Sequence, residues 1–120
     1  MSGAWAREAD ATSDRLRDST DLGSAAYCLA CALAYPGALS VPLNLRRASA
    51  IIRSERRRLD PEGVSERSRD WPETVSDEAL IWTALRMVAS VDVGGNAEDR
   101  AWWLRQAESA LRTLHKRGRS

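Results

Sequence analysis

Proline and glycine divide this chain into stretches of helical length, and nothing inside those stretches alternates as a strand would. The breaks fall at Pro36-Gly37, at Pro61, Gly63 and Pro72, and at Gly94-Gly95. Between them apolar residues return every three or four positions, the period of an amphipathic helix. The pattern predicts a weak, polar helix over 4–18 and four stronger ones over 21–35, 41–59, 75–92 and 97–117. A chain of 120 residues is the size of one domain. The expected fold is therefore all-α, a single-domain bundle of four to five helices over 1–120. Residues 1–20 are expected to fray, and 60–74 to form a long acidic loop.

The predicted helices differ in character. Residues 21–35 are rich in Ala, Cys and Ser and start near Asp21. Small side chains let a neighbouring backbone approach closely, with Leu22, Tyr27, Leu29, Leu33 and Tyr35 supplying the larger contacts. Ser40 is placed to cap the next helix, with Pro42 in its first turn, where a missing N–H costs nothing. Thr74 and Asp77 have capping-box spacing for the helix after the acidic loop. That helix is apolar on nearly all sides, with Thr83, Arg86 and Ser90 as its polar stripe, so it is expected at the centre. Asn96 can cap the last helix, with Asp99 three residues on. The helices over 21–35 and 75–92 are expected inside, and the basic ones outside them.

Charge is strongly segregated along the chain, although the formal net charge is only +1. Residues 22–35 carry no charged residue, residues 41–59 hold six Arg against one Glu, and residues 100–120 hold five Arg and one Lys against one Glu. Over 60–78 the balance reverses, with seven acids against two Arg. Local fields rather than net charge then guide partner choice. On the helix over 41–59, Val41, Leu45, Ala48, Ile52 and Leu59 cluster on one face with Ile51 at its edge. Arg46, Arg53 and Arg57 lie opposite at i, i+7, i+11, with Arg47 and Arg58 beside them and Arg56 on the other flank. On the last helix Trp103, Leu104, Ala107, Ala110, Leu111 and Leu114 form the apolar stripe. Arg105, Arg112 and Lys116 lie away from it at the same i, i+7, i+11 spacing.

A stripe from Arg46 to Arg57 spans about 16 Å of helix axis, enough to meet several phosphates of one strand. Such a surface binds nucleic-acid backbone without reading sequence. The competing reading is a solvated face whose arginines pair with the chain's own acidic segments or with an acidic protein. Trp102, beside Arg105, suits base stacking or a protein hot spot, against the alternative of a further bundle contact. Trp71, before Pro72, is either a loop anchor or an interface residue. Trp82 and Trp103 fall on apolar faces and read as core.

No arrangement of residues calls for catalysis, a metal or a cofactor. Cys28-Leu29-Ala30-Cys31 lacks the βαβ setting of a redox pair and the further ligands of a zinc site, and reads as two small apolar residues in a helix. His115 is the only histidine and sits at a helix C-terminus, where the dipole favours it. The apolar run over 22–35 is shorter than the ~20 residues of a membrane span. The segment before it carries three arginines against five carboxylates, the wrong sign for a signal peptide. The expected address is the cytoplasm, with no membrane partner.

A helical chain of this length with basic outer faces resembles the small subunits of CRISPR effector complexes. That resemblance covers the whole chain at the level of length, helix content and basic faces. It implies a non-enzymatic subunit of a nucleoprotein complex, stacking on copies of itself or on larger subunits. It implies contact with a guide–target duplex or displaced strand, RNA or DNA, through Arg46, Arg53, Arg57, Arg105, Arg112 and Lys116. It does not account for the acidic loop over 60–78. The alternative is a protein-only adaptor or inhibitor, of phage or plasmid type, whose arginines face an acidic partner.

Overall fold

The computed structural model describes residues 22–60, 71–91 and 96–117. They form four helices and, among the described residues, no strand: α1 (Leu22–Ala34), α2 (Val41–Leu59), α3 (Asp77–Val91) and α4 (Ala97–Arg117). The all-α bundle expected from the sequence is what forms, with bounds within about two residues of the periodic segments. The expected N-terminal helix over 4–18 lies outside the described residues, as does most of the 60–74 loop.

Each helix ends for a local reason. The Tyr35 N–H still donates to the Cys31 carbonyl at 3.0 Å, and then Pro36 has no N–H to continue the ladder. No glycine among the described residues has a positive φ, so the proline rather than Gly37 does the stopping. Two turns follow, closed by Ala38 N–H to Tyr35 carbonyl at 2.9 Å and Val41 N–H to Ala38 carbonyl at 3.2 Å. Ser40 occupies the N-cap of α2, but its side chain makes no capping hydrogen bond, contrary to expectation. Ser40 has helical backbone angles, whereas a capping side chain works from an extended residue. The cap of α3 is Ser76, whose Oγ accepts the Ala79 N–H at 3.1 Å, in place of the expected Thr74. Asn96 caps α4 as expected, its Oδ1 accepting the Asp99 N–H at 2.8 Å.

The helices pack as a ring. α1 lies against α2 and α3, and α4 lies against the same two, so α1 and α4 occupy opposite corners. The fully buried large side chains come from all four: Leu22 and Leu29, Ile52, Leu80, Leu85, Val88 and Val91, and Leu104. Alanines fill the spaces between, including Ala25, Ala26 and Ala32 of α1, Ala48 of α2, Ala84 of α3 and Ala107 and Ala110 of α4. This corrects the expected division into two inner and two outer helices. α4 buries seven residues, among them Ser109 and Thr113, which its apolar stripe did not predict. Thr113 is accommodated because its hydroxyl donates to the Ser109 backbone carbonyl at 3.1 Å and accepts the Trp71 backbone N–H at 3.4 Å. On α3, Thr83 and Ser90 likewise bond back to the carbonyls of Ala79 and Arg86, at 2.7 and 2.9 Å.

Only α2 stays peripheral. It buries Ala48 and Ile52 completely and rests Val41, Leu45, Ile51 and Leu59 against the core. Its remaining face is left to solvent.

Candidate nucleic-acid interface

The outer face of α2 is a continuous exposed surface made of Pro42, Leu43, Arg46, Arg47, Ala50, Arg53, Ser54, Arg57 and Arg58. It contains no carboxylate. The helix has one acid, Glu55, which is half-buried on the flank and binds Arg58 one turn on, with Arg58 Nε at 2.8 Å from Oε1. That hydrogen bond raises the Arg58 pKa further above its ordinary value. Arg56 points to the other flank and reaches across to α4, where its Nε meets Glu108 Oε2 at 2.8 Å. Arg46, Arg47, Arg53 and Arg57 make no ion pair among the described residues.

The second expected stripe has a different fate. Arg105 turns toward the end of α2 and bonds Asp60 at 2.8 Å. Arg117 donates to the carbonyls of Val75 and Pro72 at 2.6 and 2.9 Å and meets Asp77 at 3.0 Å. Arg112 and Lys116 remain exposed on α4. So the acids at the two ends of the long loop, Asp60 and Asp77, pair with Arg105 and Arg117 of α4. Arg46, Arg47, Arg53 and Arg57 make no such pair among the described residues.

The tryptophans separate in the same way. Trp71 packs against the core, with its N–H held by Thr113, and so anchors the segment leading into α3. Trp102 is exposed and stands edge-on to Trp103, ring centroids 4.8 Å apart and planes at 80°. Trp103 rests on the core. The Arg105 guanidinium, three residues on from Trp102, is engaged by Asp60. Trp82 is half-buried, with the Arg86 guanidinium 5.8 Å above its ring.

Sequence reasoning missed two tyrosines. Tyr27 and Tyr35 were expected to pack inside, yet they are 58% and 67% exposed. Leu39 and Leu43, in the turn and first turn of α2, are exposed as well. A signal was present: Ser24, Tyr27, Cys31 and Tyr35 follow i, i+3, i+7, i+11, the spacing of one helix face. The absence of charge from Leu22 onward, which continues through the turn to Leu45, hid it. A helix with no charged residue does not declare which face meets water.

Cys28 and Cys31 are reduced and half-buried on this side of α1. Burial, and then the neighbouring Cys31, push the Cys28 thiol up, while Arg47 pulls the other way. A thiol kept protonated is a poor nucleophile and a poor metal ligand. Among the described residues no group of three His, Cys, Asp or Glu could hold a metal ion. His115 is exposed near the end of α4. No helix among the described residues is long and apolar enough to cross a membrane. No family model, curated protein or solved structure matches this chain.

Proposed function

We propose that this chain is a non-enzymatic helical subunit of a nucleoprotein complex. It lays the outer face of α2 along a nucleic-acid backbone and packs beside copies of itself or larger subunits, in the manner of the small subunits of CRISPR effector complexes. One observation carries the reading. The chain pairs Arg56, Arg105 and Arg117 with its own carboxylates, yet leaves four arginines of α2 exposed and without an ion pair among the described residues. A run of guanidinium groups over about 16 Å of one helix, without carboxylate partners among the described residues, attracts a polyanion and releases its counterions on binding. The rigid fork of arginine suits phosphate oxygens. Contacts from such a stripe to phosphates position the chain on a strand and do not select a sequence.

The test is fluorescence anisotropy of labelled RNA and DNA with the full chain and with Arg53→Glu/Arg57→Glu. Both positions are exposed, so the variant keeps its fold, checked by circular dichroism. We expect at least a tenfold loss of affinity. Unchanged binding by the folded variant would remove α2 from the interface. The exposed Leu39 and Leu43 beside the arginines favour a second reading, an adaptor that docks an acidic protein. Complete absence of nucleic-acid binding at low salt would select it.

A further inference from the structure

Tyr27 and Tyr35 are both exposed on the helix that packs against α2. They belong to one side of α1. Tyr35 lies just past the last residue of the helix, but its N–H bond to Cys31 keeps it on the helical path. The two residues are eight apart, about 12 Å along the axis. Cys31 lies between them in the register and Cys28 beside it, both half-exposed. α1 packs directly on α2, and Arg47 is close enough to lower the Cys28 pKa. Cys28 of α1 and Arg47 of α2 therefore lie near the seam between the two packed helices. One half of the joint surface is aromatic and uncharged, and the other is cationic. Four of the five exposed large apolar side chains among the described residues fall between positions 27 and 43, in α1, the turn after it and the first turn of α2.

We infer that this surface is built for unpaired strands: Tyr27 and Tyr35 stack on bases while Arg46, Arg47, Arg53 and Arg57 hold the phosphates alongside. The inference rests on the backbone-contact reading of α2 and adds the kind of strand. A duplex shows phosphates and base edges but hides the base faces, so tyrosines beside the arginines gain nothing from it. A single strand presents both features at once, and every base has a face to stack. Two aromatic platforms next to a basic track give a site that tolerates any sequence and prefers unpaired bases. The turn residue Leu39 and the first-turn residue Leu43 extend the apolar half past Tyr35 toward Arg46 and Arg47.

The experiment uses the full chain and three labelled probes of equal length: single-stranded oligothymidylate, an abasic deoxyribose-phosphate oligomer, and a DNA duplex. Wild-type protein is expected to bind the oligothymidylate at least tenfold tighter than the abasic oligomer, the scale of one stacked base. Tyr27→Ala/Tyr35→Ala is expected to lose that preference while binding the abasic oligomer and the duplex as before. Tyr27→Phe/Tyr35→Phe, which keeps the rings, is expected to retain it. Equal binding of oligothymidylate and abasic oligomer by the wild type would overturn the stacking inference and leave the backbone reading standing. So would an alanine variant that keeps the preference. Displacement of the oligothymidylate by poly-glutamate at equal charge concentration would show that the surface responds to charge alone, and would also overturn it. Failure of the wild type to bind any of the three probes at low salt would remove the backbone reading, and the inference with it.

Discussion

Three consecutive arginines on α2 meet three different fates. Arg56 is clamped to Glu108 of α4 with both side chains largely buried, at 17% and 10% exposure. Arg57 faces solvent, and Arg58 folds back onto Glu55. A step of about 100° per residue is enough to send neighbours to a flank, the outer face and the other flank. The Arg56–Glu108 contact joins two helices and is shielded from water, so it matters to stability in a way that exposed pairs do not. Glu108→Gln is expected to destabilise the fold by about 2 kcal/mol, the scale of a charged hydrogen bond left half-made. Urea unfolding of the two proteins checks this, and an unchanged midpoint would mean that water replaces the carboxylate without cost.

At the scale of the element, helix starts that look equivalent in sequence behave differently. Ser40, Ser76 and Asn96 all stand immediately before a helix. Ser76 and Asn96 satisfy backbone N–H groups of the first turn, and Ser40 does not. Asn96→Ala is expected to cost about 1 kcal/mol, and Ser40→Ala a small fraction of that. Chemical denaturation of the two variants separates them, and equal losses would contradict the capping geometry. Pro42 gives α2 a preset entry without a cap, because it lies where an orphan N–H would otherwise need a partner. The three C-terminal arginines of α2 also sit at the negative end of its dipole. Their clustering is partly a helix-end preference, which is why Arg56 and Arg58 can serve stability while Arg57 stays outward.

For the molecule as a whole, near-neutrality conceals a divided field. The acids at the ends of the long loop, Asp60 and Asp77, lie against α4, and Glu108 faces α2 only at Arg56. The proposed face thus carries four unneutralised charges among the described residues. If all four meet phosphates, the logarithm of affinity for a single strand should fall against the logarithm of salt concentration with a slope of about −3. Anisotropy titrations across a salt series measure it. A slope near zero would mean that the arginines do not meet phosphates.

Much of this protein was legible in its sequence because the information is local. Helix period, proline stops and the Asn96 cap depend on residues within a few positions of one another. The face of α2 that carries Arg46, Arg53 and Arg57 follows from helical register alone. What register cannot supply is the neighbour on each flank. Arg105 and Arg46 occupy equivalent places in their own stripes, yet Arg105 meets Asp60 and Arg46 is exposed with no ion pair among the described residues. Thr113 is interior where the segment at Trp71 meets α4, the Trp71 N–H donating to its hydroxyl. Tyr27 and Tyr35 were misread because a charge-free helix has no polar face to orient it. Ring packing, which brings α2 and α3 against α1 from two sides, decided which of its residues would remain in water.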